Sequence, residues 1–274
     1  MIPVVLIHRG FQDYLQYSIL EACRKNQVIL LGDVDPKIDD KNFTFTNPNG
    51  LMQDVDKFSQ LYIHMNTTPI SYELFCFTRW FNLRNWMVNN GVEVAFYIDS
   101  DVLFFEEANT EWKKFSQYDM TLLHRTAGIS SFVTLKGIHN FCDMLMKIYS
   151  NKNSYDYNKI ASHFDVRRKF GLPGGVCDMT LLEYFHYHAD YGGGPGRVGE
   201  MMAIIDNETY DHNINVPDND FEFQAGLKRT KLDELGNIYV HNNKLKRDVK
   251  FNSLHFQGSA KGLMKGFYER FMEK

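Results

Sequence analysis

The chain has 274 residues, of which 44% are hydrophobic and 23% charged, as in a folded globular protein with room for one sizeable core. The formal net charge of −4 argues against nucleic acid as the main partner. No apolar run is long enough to span a membrane and the first residues resemble a strand, so we expect no signal peptide, no membrane span and a cytoplasmic location. The four cysteines form no C-x-x-C pair, which argues against a zinc knuckle or a redox motif. Two disulfides are possible, but three of the four cysteines lie among apolar residues, which favours free thiols.

The beginning of the chain predicts a strand, a helix and a second strand. Residues 4–7 and 28–31 are unbroken apolar runs, and residues 13–25 carry apolar side chains at helical spacing. A unit of this kind builds a parallel sheet. Three polar residues follow or end the two strands: His8, Arg9 and Asp33. They are either ordinary polar strand ends or parts of a nucleotide site, in which Asp33 accepts a hydrogen bond from the base.

A polar stretch and a long helix come next. Residues 35–58 are polar and are expected to wrap the surface. Thr68-Pro69 is typical of an N-cap followed by proline at the first helical position, and the helix is expected to end near Asn89. This helix is apolar on two sides, which predicts that it is internal. Arg79 within it therefore needs an anion, either a carboxylate elsewhere in the chain or a phosphate or sugar hydroxyl.

Two aspartates follow the most apolar strand. Residues 94–98 predict a strand that is covered on both faces, and Asp99-Ser100-Asp101 comes at its carboxyl end. An unpaired aspartate is costly to bury, and open α/β sheets bind ligands at the carboxyl ends of their strands. Asp-x-Asp alone is common in turns and at strand ends. In this position it is also suited to a hard divalent cation and a phosphorylated ligand.

The middle of the chain predicts further strands and helices. The ranges are 120–123 and 130–135 for strands, and 137–149 and 179–188 for helices. Residues 151–168 are polar and have no clear period. Gly174-Gly175 allow a close backbone approach to a ligand, and Asp178 either caps the helix that follows or carries chemistry. Residues 228–231 and 244–250 are rich in lysine and are predicted to be solvated.

The last segment predicts an anion site. Residues 253–256 form a short apolar strand, and a helix follows with Leu263, Phe267 and Phe271 on one face. His255, Gly258 and Lys261 thus lie at a turn from strand to helix, where free backbone amides and one ammonium meet.

These motifs together resemble a known class of enzymes. With Asp99-Ser100-Asp101 after a parallel strand and His255-Phe-Gln-Gly-Ser-Ala-Lys261 near the end, nearly the whole chain is similar to glycosyltransferases of the GT-A fold. In that fold the second aspartate of the D-x-D motif binds Mn²⁺ or Mg²⁺, and the first contacts ribose or a metal-bound water. The H-x-x-G-x-x-K pattern, familiar from the glycogenin and lipopolysaccharide galactosyltransferase families, adds a third metal ligand and a phosphate-binding lysine.

By this resemblance, Asp101, His255 and Asp99 serve the metal, Lys261 holds the diphosphate and Arg79 lies over the donor. One departure concerns the mechanism. Those two families carry a D-Q-D or D-Q-x-x-L-N stretch where this chain has Cys177-Asp-Met-Thr-Leu-Leu182, so their retaining mechanism does not carry over. We expect inversion instead, with Asp178 as the general base. The compact build is also similar to small bacterial and large-virus glycosyltransferases.

The sequence therefore predicts a single α/β domain, residues 1–274, with a mostly parallel GT-A-like sheet flanked by helices. Residues 1–105 are expected to bind the nucleotide sugar, and residues 106–274, closed by the C-terminal helix, to bind the acceptor. The expected activity is transfer of a hexosyl or pentosyl group from a nucleotide sugar, UDP-linked, to a hydroxyl of a glycan. The predicted donor-binding residues are His8, Arg9, Asp33, Arg79, Asp99, Ser100, Gly174, Gly175, Gly258 and Lys261.

Two other functions fit parts of this pattern. A sugar-phosphate nucleotidyltransferase shares a related fold but opens with a glycine-rich loop after its first strand, where this chain has His8-Arg9-Gly10. A non-catalytic module that binds nucleotide sugars or glycans would need the same cleft without turnover of the donor.

Overall fold

The computed structural model describes residues 1–51, 53–124 and 126–272. Its strands are β1 (Val4–His8), β2 (Val28–Gly32), β3 (Phe43–Thr46), β4 (Val94–Ile98), β5 (Val102–Phe104), β6 (Met120–Leu122), β7 (Ser130–Thr134), β8 (Val198–Glu200), β9 (Glu208–Thr209), β10 (Phe223–Gln224), β11 (Leu227–Lys228), β12 (Thr230–Leu232), β13 (Ile238–Asn242), β14 (Arg247–Phe251) and β15 (Ser253–His255). Its α-helices are α1 (Asp13–Cys23), α2 (Gln53–Leu61), α3 (Ile70–Asn89), α4 (Ala108–Phe115), α5 (Leu135–Ser150), α6 (Tyr155–Lys169), α7 (Asp178–Tyr187) and α8 (Met264–Met272). Short 3₁₀ helices cover Pro48–Leu51, Ala189–Tyr191 and Gly258–Leu263.

The central sheet has seven strands in the order β3-β2-β1-β4-β7-β6-β8. Strand β7 pairs antiparallel with β4 and β6, and the other pairings in this sheet are parallel. The chain adds β2 and β3 on one side of β1 and then crosses to place β4 on the other side. The carboxyl ends of β1 and β4 therefore flank a switch point, where open α/β sheets bind ligands. The predicted single α/β domain with a mostly parallel sheet is confirmed.

Both faces of this sheet are covered, as the side chains of β4 illustrate. Ala95 and Tyr97 pack in one apolar cluster with residues of α3, α5 and α7, whereas Phe96 and Ile98 pack in a second cluster with α1 and α4. Successive side chains of a strand point to opposite faces, so a strand buried on both faces is an unbroken apolar run. This is why residues 94–98 were predictable.

A smaller set of strands carries the end of the chain. Strands β12, β13, β14 and β9 form a four-stranded sheet, and β15 pairs antiparallel with β5. In that pair His255 lies opposite Val102, the residue after Asp101. The backbone of the last strand thus places His255 beside the Asp-Ser-Asp segment.

The structure corrects four expectations. Residues 35–58 do not only wrap the surface, because they include the sheet-edge strand β3 and most of α2. Residues 151–168 contain α6, whose N-cap Ser154 accepts a hydrogen bond from the Tyr157 amide at 3.1 Å. Helix α3 begins at Ile70, with Pro69 rather than Thr68 at the N-cap, because the Thr68 hydroxyl donates to the Glu73 carboxylate instead. Lys228 is buried rather than solvated.

Other expectations from composition agree with the structure. Cys23, Cys76, Cys142 and Cys177 are free thiols. Among the helices in the described residues, none is both long and apolar enough to cross a bilayer. Phe271 was predicted on the apolar face of the last helix, but its side chain lies outside the described part.

One glycine limits how α5 docks on the sheet. A Cβ at Gly137 would lie 2.2 Å from the backbone oxygen of Asp119, next to the N-cap where Thr134 accepts a hydrogen bond from the Gly137 amide. We expect Gly137→Ala to destabilise the protein by about 1–3 kcal/mol, because backbone has to move. Gly266→Ala in α8 is the matched control, since a Cβ there meets no atom within 4 Å and should stabilise by about 0.4–1 kcal/mol. Urea unfolding of both variants tests this, and equal effects would contradict it.

Candidate functional site: a cleft at the carboxyl ends of β1 and β4

A cleft of about 540 Å³ opens where β1 and β4 end. The predicted site residues in its lining are His8, Arg9, Arg79, Asp99, Ser100, Asp101 and Lys261. They come from the end of β1 and the loop after it, the middle of α3, the segment after β4 and the 3₁₀ helix before α8. Lys261 belongs to the second half of the chain, so both halves build the cleft.

Asp101 is the centre of the first charged cluster. Its Oδ1 lies 3.5 Å from Nε2 of His255, and its Oδ2 lies 3.1 Å from Nζ of Lys261. Burial alone would raise the pKa of Asp101, but the hydrogen bonds and charges of His255 and Lys261 hold the pKa below its usual value. Burial would lower the pKa of His255, yet Asp101 raises it above the usual value. The sequence motif therefore brings a carboxylate, an imidazole and an ammonium into contact.

A backbone carbonyl on the side of the ring away from Asp101 fixes the orientation of His255. Its Nδ1 bonds to the backbone oxygen of His212, so Nε2 faces Asp101. The backbone amide of His255 donates to Oδ2 of Asp211 at 3.1 Å, and Oδ1 of Asp211 accepts from Lys228 at 2.7 Å. An imidazole held through one nitrogen in this way presents the other to a ligand or metal.

Lys228 was predicted to be solvated, but it is buried. Its side chain is fully buried, and its ammonium contacts Asp211, Asp218 at 3.0 Å and the backbone oxygen of Asn213 at 2.6 Å. These three acceptors satisfy the three N–H groups of the ammonium, which removes the reason for it to remain in water. The polar residues 211–213 could have indicated a partner for a buried cation. They are too far from Lys228 in sequence for local spacing to link them.

Arg79 is the centre of the second charged cluster. Its Nη1 donates to Oδ1 of Asp99 at 2.8 Å and to the Tyr97 hydroxyl at 2.9 Å. Its Nη2 and Nε donate to Oδ2 of Asp178 at 2.7 and 3.2 Å, and Trp80 donates to the same oxygen at 3.0 Å. The sequence left open whether Arg79 meets a carboxylate of the chain or a phosphate or sugar hydroxyl. In the structure its partners include the carboxylates of Asp99 and Asp178.

The same cluster affects the pKa values of its members. Burial would lower the pKa of Arg79, but Asp178, Tyr97 and Asp99 raise it well above the usual value. Burial raises the pKa of Asp99, and the nearby Asp101 charge adds to this effect, whereas Arg79 opposes it. Arg79 thus stays charged and opposes the rise that burial causes in the pKa of Asp99.

Asp178 is the first residue of α7 and is buried. Cys177, not Asp178, is the N-cap of that helix, so Asp178 is the first-turn acid. Its Oδ1 accepts from the Met179 amide at 2.9 Å, while Oδ2 takes the Arg79 and Trp80 donors. The structure places Asp178 beside Arg79 behind the cleft lining. Its role as a base stays a prediction.

Four other predicted residues shape the chain around the cleft and are not in its described lining. Asp33 accepts a hydrogen bond from the Gly10 amide at 2.6 Å and so holds the loop after β1. A Cβ at Gly175 would lie 2.2 Å from the Met65 oxygen, and the Gly174 amide donates to Thr67. Gly258 has a φ of +61°, in the left-handed region that favours glycine. The backbone at Gly174 and Gly175 was expected to approach a ligand closely. In the structure it approaches the segment before α3.

Two side chains of the first charged cluster are suited to a divalent metal. Among the described residues, no group of three or more His, Cys, Asp or Glu side chains is arranged to hold a metal ion. Asp101 and His255 do lie together, whereas Asp99 is bonded to Arg79. One carboxylate oxygen and one imidazole nitrogen with a fixed tautomer fit two positions on Mn²⁺ or Mg²⁺.

No family model and no curated protein matches this sequence. Solved structures do match its fold. An active-site mutant of LgtC is 12% identical, with a TM-score of 0.51, covering 99% of this chain and 94% of that one. The fold is GT-A-like. The bifunctional glycosyltransferase WbbM without ligand gives a TM-score of 0.51 at 9% identity, and the match covers 98% of this chain and 49% of that one. At these identities the likeness concerns the fold.

Replacing Arg79 tests how much the second cluster contributes to stability. Arg79→Met leaves the buried Asp178 and the partly exposed Asp99 without their cation, so we expect a loss of about 3–5 kcal/mol in the free energy of unfolding. Adding Asp178→Asn to that variant should recover part of the loss, because one of the two charges is then absent. Chemical denaturation of the single and double variants measures both effects.

The control for this experiment is Asp143→Asn. Asp143 is 73% exposed and pairs with Arg84 at 3.2 Å, so its removal should change stability by no more than about 1 kcal/mol. A similar small change for Arg79→Met would contradict the idea that the cluster depends on Arg79.

Proposed function

We propose that this protein is a glycosyltransferase that moves a sugar from a nucleotide sugar, UDP-linked, to a hydroxyl group of a glycan. The observation that carries the proposal is the contact of Asp101 with His255 and Lys261 at the ligand-binding edge of a GT-A-like sheet. A nucleoside diphosphate leaving group needs cations to neutralise its charge, and this cluster contains one ammonium and a pair of side chains suited to a metal.

The donor would lie in the cleft between β1 and β4, with residues 1–105 contributing most of its walls and residues 106–274 binding the acceptor. Lys261 is half-buried and lies 5.0 Å from the centre of the Tyr14 ring, from where its ammonium can reach a phosphate. His8 packs edge-on against Tyr14, and burial lowers the pKa of His8, which keeps its ring neutral at pH 7. A neutral ring beside a tyrosine suits contact with an uncharged base or ribose.

Asp101 and His255 would hold Mn²⁺ or Mg²⁺, with donor phosphate oxygens as further ligands. The bound metal would supply charge neutralisation for the departing diphosphate. The residues of the chain have separate tasks in this proposal: Lys261 binds phosphate, the His212 carbonyl orients His255, and Arg79 with Tyr97 keeps the Asp99 carboxylate at the edge of the cleft.

We further propose that transfer inverts the anomeric centre, with Asp178 as the base that accepts the proton of the acceptor hydroxyl. Arg79 donates two N–H groups to Oδ2 of Asp178 and so fixes the orientation of this carboxylate. Oδ2 of Asp178 accepts three side-chain N–H groups, whereas Oδ1 accepts from the Met179 amide, so in this proposal Oδ1 is the oxygen that takes the proton. The competing role for Asp178 is to hold Arg79 in place without taking a proton.

Calorimetry with UDP and uridine, with and without Mn²⁺, tests the donor site. UDP should bind better than uridine, and more so with Mn²⁺. Asp101→Asn should remove the Mn²⁺ effect, since a metal ligand is lost. Lys261→Ala should reduce the difference between UDP and uridine by about 1.5–3 kcal/mol, the contribution of a charge-assisted hydrogen bond.

The control is Lys265→Ala, because Lys265 is exposed and pairs at 3.7 Å with Glu269 on the same helix. Equal losses for UDP and uridine in Lys261→Ala would make that lysine structural. Binding of a UDP-sugar without any slow hydrolysis would favour a non-catalytic module over a transferase.

Asp178→Asn separates the two roles of Asp178. Asn keeps the size of the side chain but cannot accept the proton, so turnover should fall by about 10²–10⁴ while donor affinity is kept. Steady-state kinetics with a transferable acceptor and calorimetry with the donor measure the two quantities. NMR of the product provides the independent check, and retention of the anomeric configuration would refute a direct displacement assisted by Asp178.

A further inference from the structure

The end of helix α6 exposes large apolar side chains. Val166, Phe170 and Leu172 are 54%, 68% and 47% exposed, respectively. Arg168 and Lys169 lie between them in sequence and are exposed too. We call these five residues the α6 tip. Side chains of this size are normally exposed singly, so three within seven residues form a surface that needs an explanation.

The backbone of the tip is firmly held. Helix α6 ends in a Schellman motif, in which the Leu172 amide donates to the Arg167 oxygen at 2.9 Å and the Gly171 amide to the Arg168 oxygen at 3.1 Å. Gly171 has the left-handed φ of +63° that this motif requires. The Arg167 side chain then bonds to the Pro173 oxygen at 3.0 Å. The apolar side chains are therefore presented to solvent by a capped helix end.

The tip is connected to the cleft through the segment that precedes α3. Just after it, the Gly174 amide donates to the Thr67 hydroxyl at 2.7 Å, and the Val176 amide to the Met65 oxygen at 2.7 Å. The segment reached in this way leads directly into α3, whose first residues include Ile70 and Tyr72, 56% and 60% exposed. Tyr72 is part of the cleft lining. Exposed apolar side chains thus occur both at the α6 tip and at the start of α3.

The charge of the tip differs in sign from that of the whole chain. Residues 159–172 contain four basic side chains and one acidic side chain, which gives a formal charge of +3, whereas the whole chain carries −4. Basic side chains around exposed apolar ones match a bilayer with anionic headgroups, because the apolar groups enter the interface while the cations meet the lipid phosphates. We propose that the α6 tip binds the surface of anionic membranes and brings the cleft mouth to the level of the lipid headgroups.

A second copy of the chain fits this surface less well. Two copies that pair through the same patch would bring Arg168 and Lys169 of one protomer close to the same residues of its partner. Like charges at that distance repel, and the adjoining acid, Asp165, already pairs with Arg168 at 3.1 Å. An anionic bilayer satisfies both the charge and the apolar groups.

Co-sedimentation with lipid vesicles tests the proposal and needs no substrate, so its outcome is independent of the proposed transferase activity. The protein should bind vesicles of phosphatidylcholine with phosphatidylglycerol, and binding should weaken with added salt and be much lower for phosphatidylcholine alone. Arg168→Gln with Lys169→Gln should lower the partition coefficient by about 25-fold, because each cation contributes roughly fivefold. Phe170→Ser with Leu172→Ser should lower it as well.

The matched control is Lys244→Gln with Leu245→Ser, which changes a cation and a 43% exposed leucine in the turn between β13 and β14. It should bind vesicles like the unchanged protein, and thermal unfolding should show that all variants are folded. The proposal fails if the unchanged protein does not sediment with anionic vesicles, or if the control loses as much binding as the tip variants. It also fails if sedimentation velocity reveals a dimer that the tip variants abolish, because the tip would then be an interface between copies.

Discussion

The antiparallel pairing of β15 with β5 is the constraint on which the candidate site depends. It places His255 opposite Val102 and thereby next to Asp101, although these residues are far apart in the chain. The next residue extends the pairing, since the Phe256 amide donates to the backbone oxygen of Asp101 at 2.9 Å. Backbone pairing of this kind fixes register, because a slip by one residue would turn the His255 ring to the opposite face. The 3₁₀ helix that follows then brings Lys261 to the cleft.

Charged side chains in and behind the cleft lining stabilise one another. Arg79 joins Asp99 to Asp178, and Lys228 joins Asp211 to Asp218. In both clusters a single cation bridges two carboxylates, and neutral donors or acceptors satisfy the remaining positions. Buried ion pairs add little net stability compared with apolar groups of the same shape, but removing one member is costly. Such clusters fix the positions of side chains more than they strengthen the fold, and here they fix those next to the ligand cleft.

The elements that were predictable from sequence are those whose burial is visible in a short window. Strands β1, β2 and β4 are continuous apolar runs, and α3 has apolar residues on two sides. Strand β3 was missed because it lies at the sheet edge and none of its residues is fully buried. In α6 only Ile160 is buried, so no apolar face marks the helix in the sequence.

The candidate site was predictable in part. The Asp-Ser-Asp segment and the residues from His255 to Lys261 were recognised as two motifs, and the contact between them was an expectation from family resemblance. The partners of Arg79 and Lys228 were not accessible in the same way. They lie on other elements, and a local pattern of charges does not specify which distant carboxylate a buried cation will meet.

The late position of β15 in the chain has a consequence for how the protein forms during synthesis. Strands β1 to β4 can assemble their part of the sheet while later residues are still on the ribosome, because domains fold as their segments emerge. At that stage the Asp101 carboxylate has neither His255 nor Lys261 beside it. The Asp101 side of the cleft therefore acquires its imidazole and its ammonium only after residue 261 has been made, whereas Arg9 and Arg79 are present in the chain much earlier.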